Sequence, residues 1–346
     1  MDATLDDVAR RAGVSKATAS RVINNSPYRV ADDLRRRVLA AAEELNYVPN
    51  AHAQALVRSA TRTIGVIVHD VSDPYFSEIV RGIQRVAADN GRLVMICNTF
   101  RDLDRELAYV RLLHAQRVEA IIFAGSGLDD REFCQKLVAQ LDAFSRAGGR
   151  VTMIGRHHVP GDAVLPDNAG GARALAQTLL ALGHRRFGVI SGPPLLTTTR
   201  DRLHGFRSAL AEAGIPLSPT QIVAGDFSRD SGFAATFQLL DQAPETTAIF
   251  ALNDQMAIGA LAALRERGKI VPDDISVAGF DNIALTQDVT PALTTVQVPM
   301  EEIGARAMIL ALQPQTPELR VEHYPTTVMI RASTAAVPAP AHTTQH

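Results

Sequence analysis

Four residues near the N-terminus share one face of a predicted helix and have the chemistry to contact DNA. They are Lys16, Ala17, Ser20 and Arg21, which follow Ser15 at helical spacing. An arginine offers two parallel donors to guanine O6 and N7, and a small residue such as Ala17 offers an apolar contact to a thymine methyl group. The pattern therefore favours contact with DNA.

Two short helices joined by a tight turn must position these side chains. Thr4 and Asp7 have the spacing of a capping box at the start of the first helix. Gly13 supplies a left-handed residue at its end, and Ser15 can cap the second helix. This arrangement is typical of a helix-turn-helix, whose second helix can fill a major groove. A three-helix bundle with no nucleic-acid role is the alternative.

A third helix is predicted over about residues 31–46, and it closes a small core over the first two. Its run of Arg35, Arg36 and Arg37 fits a solvated helix face better than a DNA contact. Residues 1–60 carry nine basic and seven acidic residues, whereas the rest of the chain carries 26 basic and 30 acidic ones. Any contact with a polyanion is therefore expected at the N-terminus.

The remainder of the chain alternates short apolar strands with segments of helix length, which predicts parallel sheets with right-handed crossovers. Glycines recur in register, because Gly65, Gly82 and Gly91 have the same spacing as Gly188, Gly205 and Gly214. Two similar lobes are therefore expected, with a ligand in the cleft between them. The candidate strands are residues 64–68, 93–97, 120–123, 151–154, 187–190, 222–224, 248–252 and 276–280.

The chain resembles the lactose/galactose repressor (LacI-type) family along nearly its whole length. Residues 4–25 (TLDDVARRAGVSKATASRVINN) and 45–50 (LNYVPN) resemble the DNA-binding head and the start of the hinge of that family. Motifs such as RLHGF at 202–206, NDQMAIG at 253–259 and GFDN at 279–282 resemble its effector domain. The resemblance implies a small all-α helix-turn-helix head and a two-lobed α/β, periplasmic-binding-protein-like effector domain with parallel sheets.

The resemblance also implies the division of the chain. We expect a DNA-binding head over residues 1–48, a hinge helix or linker over 49–61, and an effector-binding and dimerisation domain over 62–332. Within that domain, the N-lobe is expected at about 62–163 and 296–322, and the C-lobe at about 164–295 and 323–332. Residues 333–346 are rich in Pro, Ala and Thr and are expected to be a disordered tail.

The family likeness assigns DNA contacts residue by residue. It implies that Lys16, Ala17 and Arg21 project toward base edges, and that Ser15, Thr18, Ser20 and Asn24 approach the phosphates. Leu56 aligns with the leucine that wedges between base steps, although it could instead be a linker residue docked on the body. Ala53 is small enough to let two hinge helices approach closely. Ala31 departs from the family, which usually has a capping serine there. The implied DNA-binding residues are Thr4, Ser15, Lys16, Ala17, Thr18, Ser20, Arg21, Asn24, Asn50, Ala53 and Leu56.

The same likeness implies an effector site at the ends of strands, and its side chains suit a polyhydroxylated ligand. Two alternatives stay open: Arg202 could simply pair with Asp281, and Phe227 could be a core residue. Leu196 stands where the purine repressor has a polar contact residue, which argues against a purine. The implied residues are Asp73, Tyr75 and Phe76 in a loop after the first strand, and Arg156, Arg202, Phe227, Asn253 and Asp281.

Several other classes of protein are disfavoured. The chain has no P-loop, G-x-G-x-x-G after a strand, H-E-x-x-H or G-x-S-x-G motif, so we expect no enzyme and no cofactor. Cys97 and Cys134 cannot form a structural zinc site alone, and the adjacent His157 and His158 point different ways, so no metal is expected. The chain lacks long apolar runs and a basic leader, which predicts a cytoplasmic protein and argues against a transporter's solute-binding protein.

The expected function is a sequence-specific transcriptional regulator, a repressor that binds palindromic operator DNA as a homodimer. A small-molecule effector, a sugar or polyol, is expected to switch it. A regulator that responds to a nucleoside or another metabolite, and a DNA-binding protein that ignores ligands, are the alternatives. The C-terminal residues lack leucine heptads, so no tetramer is expected.

Overall fold

The computed structural model describes residues 3–24, 28–48 and 61–337. No helix in these ranges combines the length and apolar character needed to cross a bilayer. The helices are α1 (Leu5–Ala12), α2 (Lys16–Ile23), α3 (Asp32–Glu44), α4 (Pro74–Asp89), α5 (Leu103–Ala115), α6 (Arg131–Arg146), α7 (Asn168–Ala181), α8 (Thr197–Glu212), α9 (Arg229–Gln242), α10 (Asp254–Glu266) and α11 (Met300–Leu312), with 3-10 turns at Pro219–Gln221 and Ala284–Gln287. The strands are β1 (Thr63–Val68), β2 (Leu93–Asn98), β3 (Ala120–Ala124), β4 (Arg150–Ile154), β5 (Asp162–Pro166), β6 (Phe187–Ser191), β7 (Ile222–Ala224), β8 (Ala248–Ala251), β9 (Ser276–Ala278), β10 (Thr295–Gln297), β11 (Val321–Tyr324) and β12 (Thr327–Met329).

The first two helices form the predicted helix-turn-helix. The Asp7 amide donates to Thr4 Oγ1 at 3.3 Å, and the Thr4 amide donates to Asp7 Oδ2 at 3.0 Å, which is the expected capping box. Gly13 ends α1 with a left-handed φ of 63°. Ser15 Oγ accepts a hydrogen bond from the Thr18 amide at 3.1 Å and so caps α2. The prediction from the short-range pattern is confirmed.

A small apolar core joins the three N-terminal helices. Ala19 of α2 and Val38 of α3 are both fully buried in it. Helix α3 begins after Ala31 without a side-chain cap, and Asp32 and Asp33 lie in its first turn. Their carboxylates complement the positive end of the helix dipole, which compensates for the absent capping serine.

The N-lobe, which consists of β1–β5, β11, α4–α6 and α11, is built on a six-stranded sheet. Its order is β11-β5-β4-β3-β1-β2, and each neighbouring pair is parallel. Helix α11 packs across β3, β4 and β5 beside α4. The C-lobe, which consists of β6–β9 and α7–α10, has a parallel sheet of order β7-β6-β8-β9. The predicted two-lobed α/β fold with parallel sheets is confirmed.

The chain passes between the two lobes more than once. It leaves the first sheet after β5, returns for α11 and β11, and goes back to the C-lobe with β12. The antiparallel pair of β10 and β12 lies where two of these passages run side by side. Because several strands connect the lobes at one edge of the cleft, the lobes can rotate about these connections while the opposite rim opens or closes.

Two helical glycines at matched positions of the repeat allow close helix packing. A Cβ on Gly82 of α4 would lie 2.0 Å from the carbonyl oxygen of Glu301 in α11. A Cβ on Gly205 of α8 would lie 2.0 Å from the carbonyl oxygen of Ala169 in α7. Each lobe therefore needs a residue without a side chain at the same place, where a helix backbone crosses the next helix.

One predicted boundary is wrong. Residues 333–346 were expected to be disordered, but the first of them are packed against the C-lobe. Ser333 is fully buried, and its hydroxyl donates to the Val277 carbonyl at 2.6 Å. The Val337 amide donates to the Leu182 carbonyl at 2.9 Å. The small Ala, Ser and Thr residues there fit beside β9, and residues 338–346 lie outside the described part of the chain.

The close contact at Gly82 predicts that replacing this glycine by alanine destabilises the protein, the reverse of the usual effect in a helix. Gly→Ala inside a helix normally stabilises by about 1 kcal/mol. Gly82→Ala should instead lower the free energy of unfolding by about 1–3 kcal/mol, because the new methyl group collides with α11. Urea unfolding followed by circular dichroism measures this, with exposed Gln84→Ala as the control. A Gly82→Ala protein as stable as the parent would contradict the close contact.

Candidate DNA-contact face and ligand cleft

Helix α2 presents a compact polar face. Lys16, Ala17 and Arg21 are exposed, whereas Ala19 and Val22 on the opposite side are buried. The alternation follows the helical period, so the burial of one face fixes the exposure of the other. The three residues that were predicted to approach base edges are therefore accessible together.

The polar residues of this face already have partners within the head. Lys16 Nζ lies 2.8 Å from Asp6 Oδ2, and the Arg21 guanidinium lies 5.5 Å from the centre of the Tyr28 ring. The Asn24 side-chain amide donates to Ser20 Oγ at 3.1 Å. These contacts are weak and largely exposed, so a phosphate or a base edge can replace them at low cost.

The other predicted DNA contacts divide into two groups. Thr4, Ser15 and Thr18 lie at helix N-termini, where Thr4 and Ser15 act as caps and Thr18 is half-buried. Asn50, Ala53 and Leu56 lie outside the described residues. The roles of both groups in DNA binding are predictions from the sequence.

Arg37 has a role that its sequence context did not reveal. It was predicted to belong to a solvated face, but its Nη2 donates to the carbonyl oxygens of Ala12 at 2.5 Å and Gly13 at 3.3 Å. These are carbonyls at the C-terminal end of α1, which the helix itself cannot satisfy. Arg37 therefore ties α3 to the turn between α1 and α2.

A cleft of about 390 Å³ lies between the two lobes. Its walls come from the carboxyl ends of parallel strands in both sheets and from the helix N-termini that follow them. Most of the lining is apolar, and Ile67, Phe123, Leu128, Pro193 and Leu196 contribute to it. A cavity with mostly apolar walls and a few polar groups is typical of a small-molecule site.

Seven of the eight predicted effector residues line this cleft. They are Asp73, Tyr75, Phe76, Arg202, Phe227, Asn253 and Asp281. Asp73 caps α4 by accepting from the Tyr75 amide at 3.0 Å. Tyr75 and Phe76 lie in the first turn of α4, so their predicted placement in a loop is wrong, because Asp73 and Pro74 start the helix earlier than expected.

Arg156 is the exception. It does not line the cleft, and its Nη2 lies 2.6 Å from Asp201 Oδ1. Arg156 follows β4 of the N-lobe, whereas Asp201 lies on α8 of the C-lobe. The pair therefore joins the two lobes at the rim.

The Arg202 side chain is buried and holds the C-lobe wall together. Its Nε donates to Asn168 Oδ1 at 2.9 Å, its Nη1 to the Leu252 carbonyl at 2.6 Å, and its Nη2 to Asp281 Oδ1 at 2.7 Å. The guanidinium also lies 3.8 Å from the centre of the Phe280 ring. Arg202 thus pairs with Asp281, and both side chains also line the cleft. Burial raises the pKa of Asp281, and Arg202 limits that rise.

Asn253 is also occupied by contacts within the C-lobe. Its Oδ1 accepts from the Met256 amide at 2.9 Å and caps α10, while its Nδ2 donates to the Phe227 carbonyl at 2.9 Å. Phe227 has a left-handed φ of 73°, a conformation that needs such support. Asn253 therefore orients the Phe227 loop, and the ring of Phe227 forms part of the cleft wall.

Further contacts close the rim between the lobes. Arg101, after β2 of the N-lobe, donates from Nη1 to the Asp226 carbonyl of the C-lobe at 2.5 Å. The Thr197 amide of α8 donates to the Gly127 carbonyl at 3.0 Å. The Asp129 carboxylate pairs with Arg200 across the same gap. The structure therefore represents a conformation in which the lobes touch around the cleft.

Comparisons with known proteins agree with this architecture. Residues 4–50 match the model of bacterial regulatory proteins of the lacI family, and residues 176–334 match a periplasmic binding protein-like domain. The chain is 38% identical to the HTH-type transcriptional regulator DegA of Bacillus subtilis (strain 168) over 308 residues, or 88% of this chain and 89% of DegA.

Two solved structures share the fold over almost the whole chain. The crystal structure of the Lac repressor dimer bound to operator and the anti-inducer ONPF matches with a TM-score of 0.84 and 31% identity, covering 97% of this chain and 100% of that one. The complex of the transcriptional regulator CelR with cellobiose matches with a TM-score of 0.70 and 33% identity, covering 96% and 99%. The head and both lobes of this chain therefore have counterparts in these two structures.

The buried pair gives a prediction about stability. Asp281→Ala leaves the Arg202 charge buried without its acidic partner, so the free energy of unfolding should fall by about 3–5 kcal/mol. In the double variant Arg202→Met, Asp281→Leu, much of the loss should be recovered, because no buried charge is left. Urea titrations measure both effects.

The exposed pair at the rim supplies the control for this prediction. Arg156→Ala removes an ion pair of which the arginine side chain is 42% exposed, so it should cost less than about 1 kcal/mol. Equal losses for Asp281→Ala and Arg156→Ala would show that the Arg202 network does not carry the C-lobe wall.

Proposed function

We propose that this chain, which belongs to the lacI family of bacterial regulatory proteins, represses transcription by binding palindromic operator DNA as a homodimer. Its relatives are DNA-binding transcriptional regulators, so the chain is a regulator and not an enzyme. We also propose that the protein acts in the cytoplasm and that a small-molecule effector controls it. The proposed division of the chain keeps a head at 1–48, a hinge at 49–61 and a two-lobed domain from residue 62.

The shared exposure of Lys16, Ala17 and Arg21 on α2 is the observation that carries the DNA-binding part. A helix with this face outward fits the major groove, where arginine can pair with guanine. Helix α2 is held by the Ser15 cap, by the apolar core and by Arg37 at the turn that precedes it. The orientation of α2 is therefore fixed before DNA binds, so the conformational entropy that the helix loses on binding is small.

An exposed apolar surface of the N-lobe supports the homodimer. Leu93 is 75% exposed and Met95 42% exposed on the edge strand β2, and Leu112 of α5 is 57% exposed. An unprotected apolar edge strand is unusual in a monomer. A second copy of the chain on this surface would bring two heads together. The hinge residues Asn50, Ala53 and Leu56 would then lie between the heads and the lobes.

We propose a saccharide as the effector. The cleft combines the aromatic side chains Tyr75, Phe76 and Phe227 with a few polar groups, which suits the apolar face and the hydroxyls of a sugar ring. Among similar structures, CelR was solved with cellobiose. Occupation of the cleft would favour one relative orientation of the lobes, and the altered spacing of the hinges would change operator affinity.

The base-reading role of Arg21 has a specific signature. Arg21→Ala should weaken operator binding by about 1–3 kcal/mol and relax the preference at one base pair in each half-site. Fluorescence anisotropy with a library of inverted-repeat duplexes measures both quantities. Arg36→Ala on α3 is the control for loss of charge alone. A loss of affinity that is uniform across sequences would rule out base reading by Arg21.

The rim contacts predict how effector affinity depends on lobe closure. Arg156→Ala removes a link that exists only when the lobes touch, so a sugar that binds the closed form should bind about 1.5- to 5-fold more weakly. Calorimetry with cellobiose, ribose and glucose measures this change. Arg267→Ala, whose 3.0 Å pair with Asp241 lies within the C-lobe, is the matched control. Equal effects of the two substitutions would contradict the rim's role.

A further inference from the structure

Two of the three carboxylates that line the cleft lie near an arginine. Arg202 contacts Asp281 at 2.7 Å. The charge of Arg101 acts on Asp73 and on Asp226 at the rim. The remaining carboxylate that lines the cleft is Glu106, and nothing in the part of the chain that the structure describes donates a hydrogen bond to it or forms an ion pair with it.

The position of Glu106 on its helix explains why it has no partner. It lies in the first turn of α5, and its neighbours at three and four positions are Asp102, Leu103, Tyr109 and Val110. None of these carries a positive charge. The side chain is half-buried, and removal from water raises the pKa of Glu106 to about 7. The carboxylate thus faces the cavity with its hydrogen-bonding capacity unused.

The histidines that line the same cavity do not neutralise this charge. Burial lowers the pKa of His69 to about 4, and Arg101 contributes to that shift. Burial likewise lowers the pKa of His157 to about 4, and its Nε2 lies 3.0 Å from the Gly125 carbonyl. Both imidazoles are therefore neutral at pH 7. At the N-lobe end of the cleft, the Glu106 carboxylate and the buried His69 Nδ1 therefore both lack a hydrogen-bond partner within the described residues.

The polar groups of the C-lobe wall cannot take over this role. Each nitrogen of Arg202 donates to a protein oxygen, and both side-chain atoms of Asn253 have partners. These groups shape the cleft, but most of their hydrogen-bonding capacity is used within the fold. Discrimination between ligands of similar size must then come largely from unpaired groups at the N-lobe end.

We propose that Glu106 determines which effectors the cleft accepts. It binds a donor-rich group of the ligand, either the hydroxyls of a neutral saccharide or the ammonium group of an amino sugar, and it excludes phosphate or carboxylate from that end. A ligand donor restores the hydrogen bonds that the carboxylate lost on leaving water and favours its ionised form. A ligand anion either meets like-charge repulsion at low dielectric or requires Glu106 to be protonated, which removes that acceptor. The inference rests on the proposed role of the cleft as the effector site.

A panel of matched sugars tests this proposal in the full-length protein. Calorimetry with glucose, glucosamine, glucose 6-phosphate, ribose and ribose 5-phosphate compares neutral, cationic and anionic ligands of related shape. At least one neutral or amino sugar should bind about tenfold more tightly than its phosphorylated counterpart. In Glu106→Gln this preference should largely disappear. A larger loss for glucosamine than for glucose would identify the ammonium group as the partner.

A second measurement separates ligand recognition from a structural role. Because Glu106 is half-buried and has no partner among the described residues, Glu106→Gln should melt at the same temperature as the parent or higher, while its sugar selectivity falls. Glu266→Gln, on the exposed end of α10, is the control and should change neither property. A lower melting temperature in Glu106→Gln together with unchanged selectivity would assign the residue to the fold and overturn the proposal.

Three other results would also contradict the proposal. Equal or tighter binding of the phosphorylated sugars, unchanged selectivity in Glu106→Gln, or no binding of any panel member at millimolar concentration would each overturn the role of Glu106. Binding of the protein to inverted-repeat duplexes is measured in the same samples. Failure there refutes the proposed regulator function, and that result is distinguishable from failure of the selectivity test.

Discussion

The buried guanidinium of Arg202 is the interaction on which the cleft depends. It connects α8 to three other parts of the C-lobe, through Asn168 of α7, the Leu252 carbonyl after β8, and Asp281 after β9. A buried charge is costly unless its partners are well placed, so these strand ends must keep one arrangement. The Arg202 network adds little net stability, but it fixes the shape of one wall of the cleft. The N-lobe meets the C-lobe at the rim, through Arg101 and Arg156, and also inside the cleft, where Tyr75 lies within electrostatic range of Asp281.

The two lobes contribute different kinds of groups to the cleft. The C-lobe wall uses its polar atoms internally and supplies shape, whereas the N-lobe end supplies Glu106 with its unused acceptor capacity. The rim contacts of Arg101 and Arg156 form only when the lobes meet. A ligand that bridges both walls therefore adds to the contacts that hold the lobes closed, and its binding free energy is available to shift the population of lobe orientations.

Much of the fold and part of the site could be predicted from the sequence. Strands with continuous apolar runs, such as β1 and β8, were found because burial on both faces leaves a clear pattern. Strands β5, β10, β11 and β12 were missed, since they are short and their residues alternate in exposure or are polar. The roles of Arg37 and Arg156 depend on which distant backbone or side chain each one meets, and that of Glu106 on the absence of such a partner among the described residues. Local spacing carries no information about such contacts, so they became visible only in the folded chain.

In the proposed mechanism, a small molecule between the lobes controls how tightly the paired heads bind DNA. The affinity of the full-length protein is measured for inverted-repeat and single half-site duplexes, with and without each sugar of the panel. We expect tighter binding to one inverted repeat than to its half-site, and a change of about 5- to 150-fold when a sugar is added. Equal affinity for both duplexes, or an affinity that no sugar alters, would contradict it.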